Sequence, residues 1–124
     1  MDLKFLNLLL FLNIKHLIAD FVLQNQKIAT NKGKNFYYLI LHSFHHAALT
    51  LIVLILFKFN FFLSLLIAVS EIFSHSFFDF LKANENLFGR FKYPSKLYFV
   101  FLGLDQLFHY INYLLIVAFL VLKN

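Results

Sequence analysis

The stretch "LILHSFHHAALTLIVLILF" spans residues 39–57 and combines a long run of apolar side chains with three histidines near its start. Its length suits a transmembrane helix, because roughly 20 apolar residues are needed to cross the ~30 Å hydrocarbon core of a bilayer. Burying an ionisable side chain at that depth costs free energy, so such a side chain is first interpreted as functional. The stretch therefore predicts a membrane-spanning helix that carries a polar cluster of His42, His45 and His46.

The whole chain of 124 residues shares this apolar character, being 61% hydrophobic and 20% aromatic with only 14% charged residues. A soluble domain of this length could not bury so much apolar surface, because small folds keep a large share of their surface exposed. The composition therefore indicates an integral membrane protein. The formal net charge of +5 does not indicate nucleic-acid binding, because the basic residues lie mostly in two short loops. Since the chain has no cysteine, disulfides and thiolate metal sites are excluded.

Four apolar segments follow one another along the chain, at about 3–23, 36–57, 61–81 and 97–122. Strands are excluded because the runs are too long and do not alternate. The first segment resembles a signal peptide but has no small-residue cleavage site after it, so we expect a retained helix. The sequence predicts an all-α fold, a four-helix transmembrane bundle with up-down topology, formed by residues 1–124 as a single integral membrane domain.

Positive charges are unevenly divided between the two ends of the predicted bundle. The two longer loops, together with Lys82 at the edge of the second, carry seven basic residues, whereas the opposite end carries three. The positive-inside rule then places these loops in the cytoplasm and both termini outside, with the bacterial inner membrane as the expected location. Setting this topology is the simplest role for these residues, and headgroup contacts are secondary. The seven are Lys27, Lys32, Lys34, Lys82, Arg90, Lys92 and Lys96, and the three are Lys4, Lys58 and Lys123.

Each predicted helix carries one pair of histidine or aspartate residues four positions apart. This spacing puts both side chains on one helix face, one turn apart. The pairs lie late in the first and third helices and early in the second and fourth. A rise of about 1.5 Å per residue then places all of them in one layer, between the cytoplasmic edge and the bilayer middle. The pairs are His16/Asp20, His42/His46, His75/Asp79 and Asp105/His109.

An up-down bundle would bring these pairs together, as in the dinuclear metal sites that four-helix bundles build from inward-facing ligands. Imidazole suits zinc, iron, copper and nickel, and added carboxylate also admits manganese. A bound ion would lower the pKa of a water toward ~7 and so prepare it for hydrolysis. The sequence therefore predicts that all eight residues are metal ligands for two divalent ions, which we expect to be zinc, manganese or iron.

Further polar residues extend the same stripes and could orient ligands, relay protons or meet a substrate headgroup. Among them, Glu71 and Gln106 are the predicted catalytic residues, assisting with protons or orientation. His45 is interpreted as structural, because it sits beside the spaced pair and a single membrane histidine usually bonds to a neighbouring helix. The remaining polar residues of the stripes are Asn13, Gln24, Lys82 and Asn112.

Other interpretations of these residues remain open. His42, His45 and His46 match the HxxHH box of membrane desaturases and hydroxylases, but those enzymes use several such boxes. A haem between two facing histidines would leave three membrane aspartates unexplained. The stripe could instead transport or relay divalent cations or protons, or form the polar core of a non-catalytic subunit. A polar path to the far side would favour transport, but its candidates are few: Asn7, Thr50, Ser64 and Asn112.

The motifs "HLIADFVLQ", "LHSFHHA", "SHSFFDFLK" and "DQLFHY" resemble the signature blocks of an uncharacterised bacterial and phage family of small membrane proteins, the domain-of-unknown-function family 3307. The resemblance covers all four helices and implies the motif set HxxxDFxxQ, HxxxH, HxxxD and DQxxH, but no established activity. A looser similarity to membrane-bound metal-dependent hydrolases favours hydrolysis by analogy. We therefore expect a metal-dependent hydrolase that acts on a membrane lipid or a lipid-linked ester or phosphoester at the cytoplasmic leaflet.

Overall fold

The computed structural model describes residues 2–123, and over this range the chain forms helices and loops without a β-strand. The predicted all-α fold is therefore confirmed. The α-helices are α1 (Leu3–Ile18), α2 (Gln26–Asn31), α3 (Phe36–Leu56), α4 (Phe61–Ala83) and α5 (Lys96–Lys123), with a π-helical turn at Ala19–Leu23 and a 3₁₀ turn at Phe88–Arg90. When the π-helical turn that follows α1 is counted with it, the long helices begin and end within two residues of the four predicted apolar segments.

Four of these helices, α1 with its π-helical turn, α3, α4 and α5, are long and apolar enough to cross a membrane. Their outward faces expose large apolar side chains, including Phe21, Phe62 and Phe73, each more than 70% exposed. Soluble monomers rarely expose contiguous apolar patches of more than a few hundred Å². The exposed surface therefore suits a hydrocarbon environment.

Asparagines in the loops define where the helices begin. The side chain of Asn25 accepts a hydrogen bond from the Ile28 amide at the start of α2, at 2.9 Å. Asn35 and Asn60 cap α3 and α4 in the same way. Such a cap satisfies a backbone amide that has no partner within the helix. The caps at Asn35 and Asn60 therefore define where the apolar helices α3 and α4 begin.

The four long helices form a ring in which each packs against two others. Helix α1 contacts α3 and α5, and α4 also contacts α3 and α5. A tight turn at Lys58, whose φ is 62°, reverses the chain between α3 and α4. The two longer loops meet at the opposite end, where Asn84 Nδ2 donates to Gly33 O at 3.2 Å and Lys34 Nζ lies 3.3 Å from Glu85 Oε1.

The interior of the bundle is divided into an apolar half and a polar half. The apolar half, which we call the apolar core, lies near the chain termini and the α3–α4 turn. The polar half lies toward the two longer loops and holds the buried histidines and aspartates. The apolar core consists of Phe5, Leu8, Leu12, Val53, Leu54, Ile67, Tyr113, Val117 and Leu120.

Candidate metal centre

The first pair of polar residues lies where α1 widens into its π-helical turn. The Gln24 amide donates to Ala19 O at 3.0 Å, across five residues instead of four. Such turns are rare and are frequently found at functional sites. His16 Nε2 lies 3.1 Å from Asp20 Oδ2. The turn thus holds Asp20 beside His16 of α1.

The structure brings all eight predicted ligands together in the polar half of the bundle. Their donor atoms form three overlapping groups, and within each group the atoms lie within 4.8 Å of one another. Because His75 and His109 each belong to two groups, the eight residues form one continuous set, here called the His/Asp cluster. The groups are Asp20/His42/His46/His75, His16/His75/His109 and Asp79/Asp105/His109.

The five imidazoles of the His/Asp cluster are packed ring against ring. His75 is stacked between His46 and His109, with ring centroids 3.6 Å and 4.1 Å apart. The His16 ring lies 4.9 Å from that of His46 and 5.0 Å from that of His109. All five residues are at most 8% exposed, and His42 is fully buried. The convergence therefore takes place inside the bundle.

Two of the three aspartates, Asp20 and Asp79, lie between histidines of different helices, whereas Asp105 lies 3.2 Å from His109 Nε2 on its own helix. Asp20 Oδ1 is 3.1 Å from His42 Nε2 and 3.0 Å from His46 Nε2, both on α3. Asp79 on α4 lies 3.3 Å from His42 Nε2 through one oxygen and 3.3 Å from His109 Nε2 through the other. Carboxylates in this position can each serve more than one cation or imidazole at once.

Several donor atoms of the His/Asp cluster have no hydrogen-bond partner within residues 2–123. Among these residues, both ring nitrogens of His42, both of His75 and the Asp105 Oδ1 atom are buried without a hydrogen-bond partner. His42 Nε2 is close to aspartate oxygens but lacks the alignment that a hydrogen bond requires. Unpaired buried polar atoms are costly and call for an explanation. Nitrogen and oxygen donors converging in this way are a set that divalent metal ions accept.

Two lysines from the loop end contact the aspartates of the His/Asp cluster. Lys32 Nζ donates to Asp79 Oδ2 at 2.7 Å, and Lys82 Nζ donates to Asp105 Oδ2 at 3.1 Å. The sequence pattern predicts that Lys82 lies on a polar stripe and that Lys32 is a loop residue which sets the orientation in the membrane. That interpretation is incomplete, because the loop that carries α2 folds over the end of the bundle and leaves Lys32 only 8% exposed.

A buried ion pair lies one turn beyond the His/Asp cluster, toward the apolar core. Lys15 forms a salt bridge with Glu71, and its ammonium also donates to the His46 carbonyl at 3.3 Å. The Thr50 hydroxyl donates to the other carboxylate oxygen of Glu71. These contacts favour a positioning role for Glu71 over the catalytic role predicted from the sequence. Lys15 was missed, although a lysine within an apolar helix signals a buried counter-ion.

Two further residues touch members of the His/Asp cluster. Gln106, the second predicted catalytic residue, is exposed on α5 and its Nε2 donates to Asp105 Oδ2 at 3.1 Å. The Tyr113 hydroxyl lies 2.8 Å from His16 Nδ1 and was not predicted. Its position four residues after His109 was the available signal, because that spacing shares a helix face. His45 lies outside all three groups and is half-buried.

Comparison with known proteins identifies the family of the chain. The sequence model of a family described as "Protein of unknown function (DUF3307)" matches residues 8–124, a range that includes the whole His/Asp cluster. No curated protein and no solved structure matches the chain. The resemblance predicted from the four motifs is therefore confirmed, whereas the looser similarity to hydrolases stays a prediction. The chain belongs to the DUF3307 family of proteins of unknown function.

Proposed function

We propose that this protein is an integral membrane, metal-dependent hydrolase of a lipid or lipid-linked phosphoester or ester. The leaflet on which it acts is the one beside the two longer loops, which we place in the cytoplasm of a bacterium. The observation that carries the proposal is the convergence of eight donor residues from the four long helical segments, seven of them buried and Asp20 partly buried. A purely structural polar core would be expected to pair its buried atoms, whereas His42 and His75 have unpaired ring nitrogens among the described residues.

The donor groups suit two ions with different surroundings. Asp20, His42, His46 and His75 offer three imidazoles and one carboxylate, a full set for a four-coordinate ion. The Asp79/Asp105/His109 group offers three donors, which is the count of a catalytic site with an open position. When bound, the ions would polarise the ester and acidify a water molecule. This division assigns a supporting ion to the first group and a catalytic ion to the third.

The charge balance of the site favours an anionic substrate. Four carboxylates and three ammonium groups lie in or beside the His/Asp cluster, a net charge of −1 with neutral imidazoles. Two divalent ions would make the site positive. Because a buried net charge needs a partner, an anion is favoured as the bound group. A phosphoester supplies that anion, whereas a carboxylic ester does not.

The residues around Asp105 are placed to move protons during hydrolysis. The oxygen of a water forms a bond to phosphorus, and the bond from phosphorus to the leaving alkoxide breaks. Asp105 Oδ1, buried and unpaired within the described chain, would bind the ion of the third group, and the proton that the water releases would pass to bulk water. Lys82, 3.1 Å from Asp105 Oδ2, can protonate the alkoxide and then recover a proton from bulk water. Gln106 would orient Asp105 through its hydrogen bond.

The apolar core favours an enzyme over the transport alternative. It fills the half of the bundle between the ion pair of Lys15 with Glu71 and the far end. Ser64 is buried in that half, but its hydroxyl donates to the carbonyl of Asn60, one helical turn earlier in the chain, at 2.9 Å. A path for ions needs a continuous series of polar groups across the membrane. Among the described residues, the series of polar groups ends instead at the apolar core.

A hydrolysis assay tests the proposal. The protein is purified in detergent, supplied with zinc or manganese, and offered a panel of lipid phosphoesters and carboxylic esters while product release is measured. We expect metal-dependent turnover that is lost in His75→Ala and kept in His45→Ala, because His75 belongs to two donor groups and His45 to none. Metal-bound protein that hydrolyses none of the panel would contradict the proposal.

A further inference from the structure

A cavity of about 510 Å³ lies at the loop end of the bundle, beside the His/Asp cluster. Four lysines line it, together with one acidic residue, Glu85. Lys32 and Lys82 extend from this lining to the aspartates of the His/Asp cluster. We call it the lysine cavity. Its lysines are Lys32, Lys34, Lys82 and Lys92.

A second cavity, of about 350 Å³, lies between α4 and α5 and is lined mainly by apolar side chains. We call it the aromatic groove. The ring of Phe78 stacks on that of Phe108 with centroids 4.8 Å apart, and it meets the ring of His109 edge-on at 6.1 Å. Asp105 also lines the groove. The apolar lining residues that matter here are Phe77, Phe78, Leu81, Phe101, Leu104 and Phe108.

The lysine cavity and the aromatic groove adjoin each other. Lys82, Phe88 and Phe101 line both of them. The rings of Phe88 and Phe101 are stacked with centroids 4.2 Å apart, forming a shared wall. The Lys82–Asp105 contact therefore lies at the junction of a positively charged space and an apolar space. A ligand that fills both must have an anionic head and an apolar chain.

Another apolar cavity, of about 400 Å³, lies between α3 and α4 and is lined by Ile40 and Phe73 among others. It could hold a lipid chain equally well on shape and polarity alone. However, its lining includes no member of the His/Asp cluster. The aromatic groove includes Asp105, so a chain bound there would have its head beside the candidate metal ligands.

We propose that the protein binds a lipid with a phosphate headgroup, with the phosphate in the lysine cavity and the chain in the aromatic groove. The proposal rests on the proposed function and specifies its substrate class and its route of entry, sideways between α4 and α5. Charge complementarity selects this occupant. Lys32 and Lys82 are paired with Asp79 and Asp105, whereas Lys34 and Lys92 share the single carboxylate of Glu85, so the lining and its contacts keep a net charge of +1. An uncharged headgroup would leave that positive charge without a partner.

Binding is tested with a probe that cannot be turned over. The probe is a di-O-octylglycerol phosphonate analogue of phosphatidate, in which ether links replace the acyl esters and a methylene group replaces the bridging phosphoester oxygen. Native mass spectrometry of the detergent-purified protein counts bound copies of this probe, of di-O-octylglycerol and of methylphosphonate. We expect one copy of the phosphonate lipid, bound about tenfold or more tightly than either fragment, because head and chain are held together. Equal binding of di-O-octylglycerol would overturn the proposal, as would equal binding of methylphosphonate.

Matched variants locate the bound lipid. Leu104→Trp fills the aromatic groove, whereas Ile40→Trp makes the same kind of change in the α3–α4 cavity. We expect the first to weaken binding about tenfold or more and the second to leave it unchanged. Lys34→Gln with Lys92→Gln should weaken binding of the phosphonate lipid but not of di-O-octylglycerol. Equal losses in the two tryptophan variants would overturn the assignment.

The outcome is separable from that of the proposed function. The probe does not react, so binding is measured whether or not the protein is a hydrolase. Binding of the phosphonate lipid without hydrolysis of any ester would retain the lipid site and reject the enzyme. If the protein hydrolyses esters and Leu104→Trp changes neither its activity nor its lipid binding, the proposed enzymatic function stands and the proposed lipid site is wrong.

Discussion

Lys15 and Glu71 show how one buried contact supports the His/Asp cluster from behind. Both side chains are almost fully buried, and the pair is linked to α3 through Thr50 and the His46 carbonyl. We expect Lys15→Met to lower the free energy of unfolding by about 3–5 kcal/mol, because it leaves a buried carboxylate without its counter-ion. Denaturant titration in mixed micelles measures the change. The double variant Lys15→Met/Glu71→Gln should recover most of the loss, and a double variant as unstable as the single one would contradict this account.

Substitution of Tyr113 tests the effect of a single hydrogen bond to the His/Asp cluster. Its hydroxyl is 2.8 Å from His16 Nδ1, so it can set the tautomer and the orientation of that ring. We expect Tyr113→Phe to reduce metal affinity by roughly 10–100-fold, because the His16 ring contacts Asp20, a donor of the first group, and losing such a supporting hydrogen bond usually has an effect of this size. Competition with a metal-binding dye measures it. Tyr110→Phe, at an exposed position on the same helix, is the control and should leave affinity unchanged.

At the scale of elements, the meeting of the two longer loops depends on a close backbone approach. A Cβ at Gly33 would clash with the Ala83 carbonyl oxygen at the end of α4. We expect Gly33→Ala to destabilise the fold by about 1–3 kcal/mol through overpacking, seen as a lower thermal unfolding midpoint. Gly103→Ala in α5 is the matched control, because its Cβ would meet nothing within 4 Å. Removing a helical glycine there should be neutral or stabilise by up to about 1 kcal/mol. If the two variants unfold alike, the loops do not depend on this contact.

The long helices and the spaced pairs were predictable because they arise from local patterns. Apolar length marks α3 and α4, and a spacing of four puts His75 and Asp79 on one face. The partners that come from elsewhere in the chain were not predictable. Lys32 reaches Asp79 only because the loop with α2 folds back over the bundle. The π-helical turn at Ala19–Leu23 depends on packing, since one extra residue per turn leaves no clear mark in the composition.

At the scale of the whole molecule, the distribution of lysines predicts the orientation in the membrane. The longer loops should face the cytoplasm and the α3–α4 turn the outside. Because the chain has no cysteine, single cysteines can report on each side. We expect a membrane-impermeant maleimide added to intact cells to label Lys58→Cys but not Lys34→Cys. Both positions are exposed, so lysed cells should show labelling of both. The reverse pattern in intact cells would place the candidate site at the opposite leaflet.

The central claim is that four helices converge to hold metal ions, and metal content tests it most directly. The protein is purified in detergent, and bound metals are counted by elemental mass spectrometry beside two variants. His42→Ala/Asp79→Ala removes donors from two of the groups, whereas His45→Ala removes a neighbouring histidine that belongs to none. We predict one or more zinc, manganese or iron ions per chain in the wild-type protein and in His45→Ala, and their loss in the double variant. A folded wild-type protein that holds no metal, even after incubation with these ions, would contradict the account.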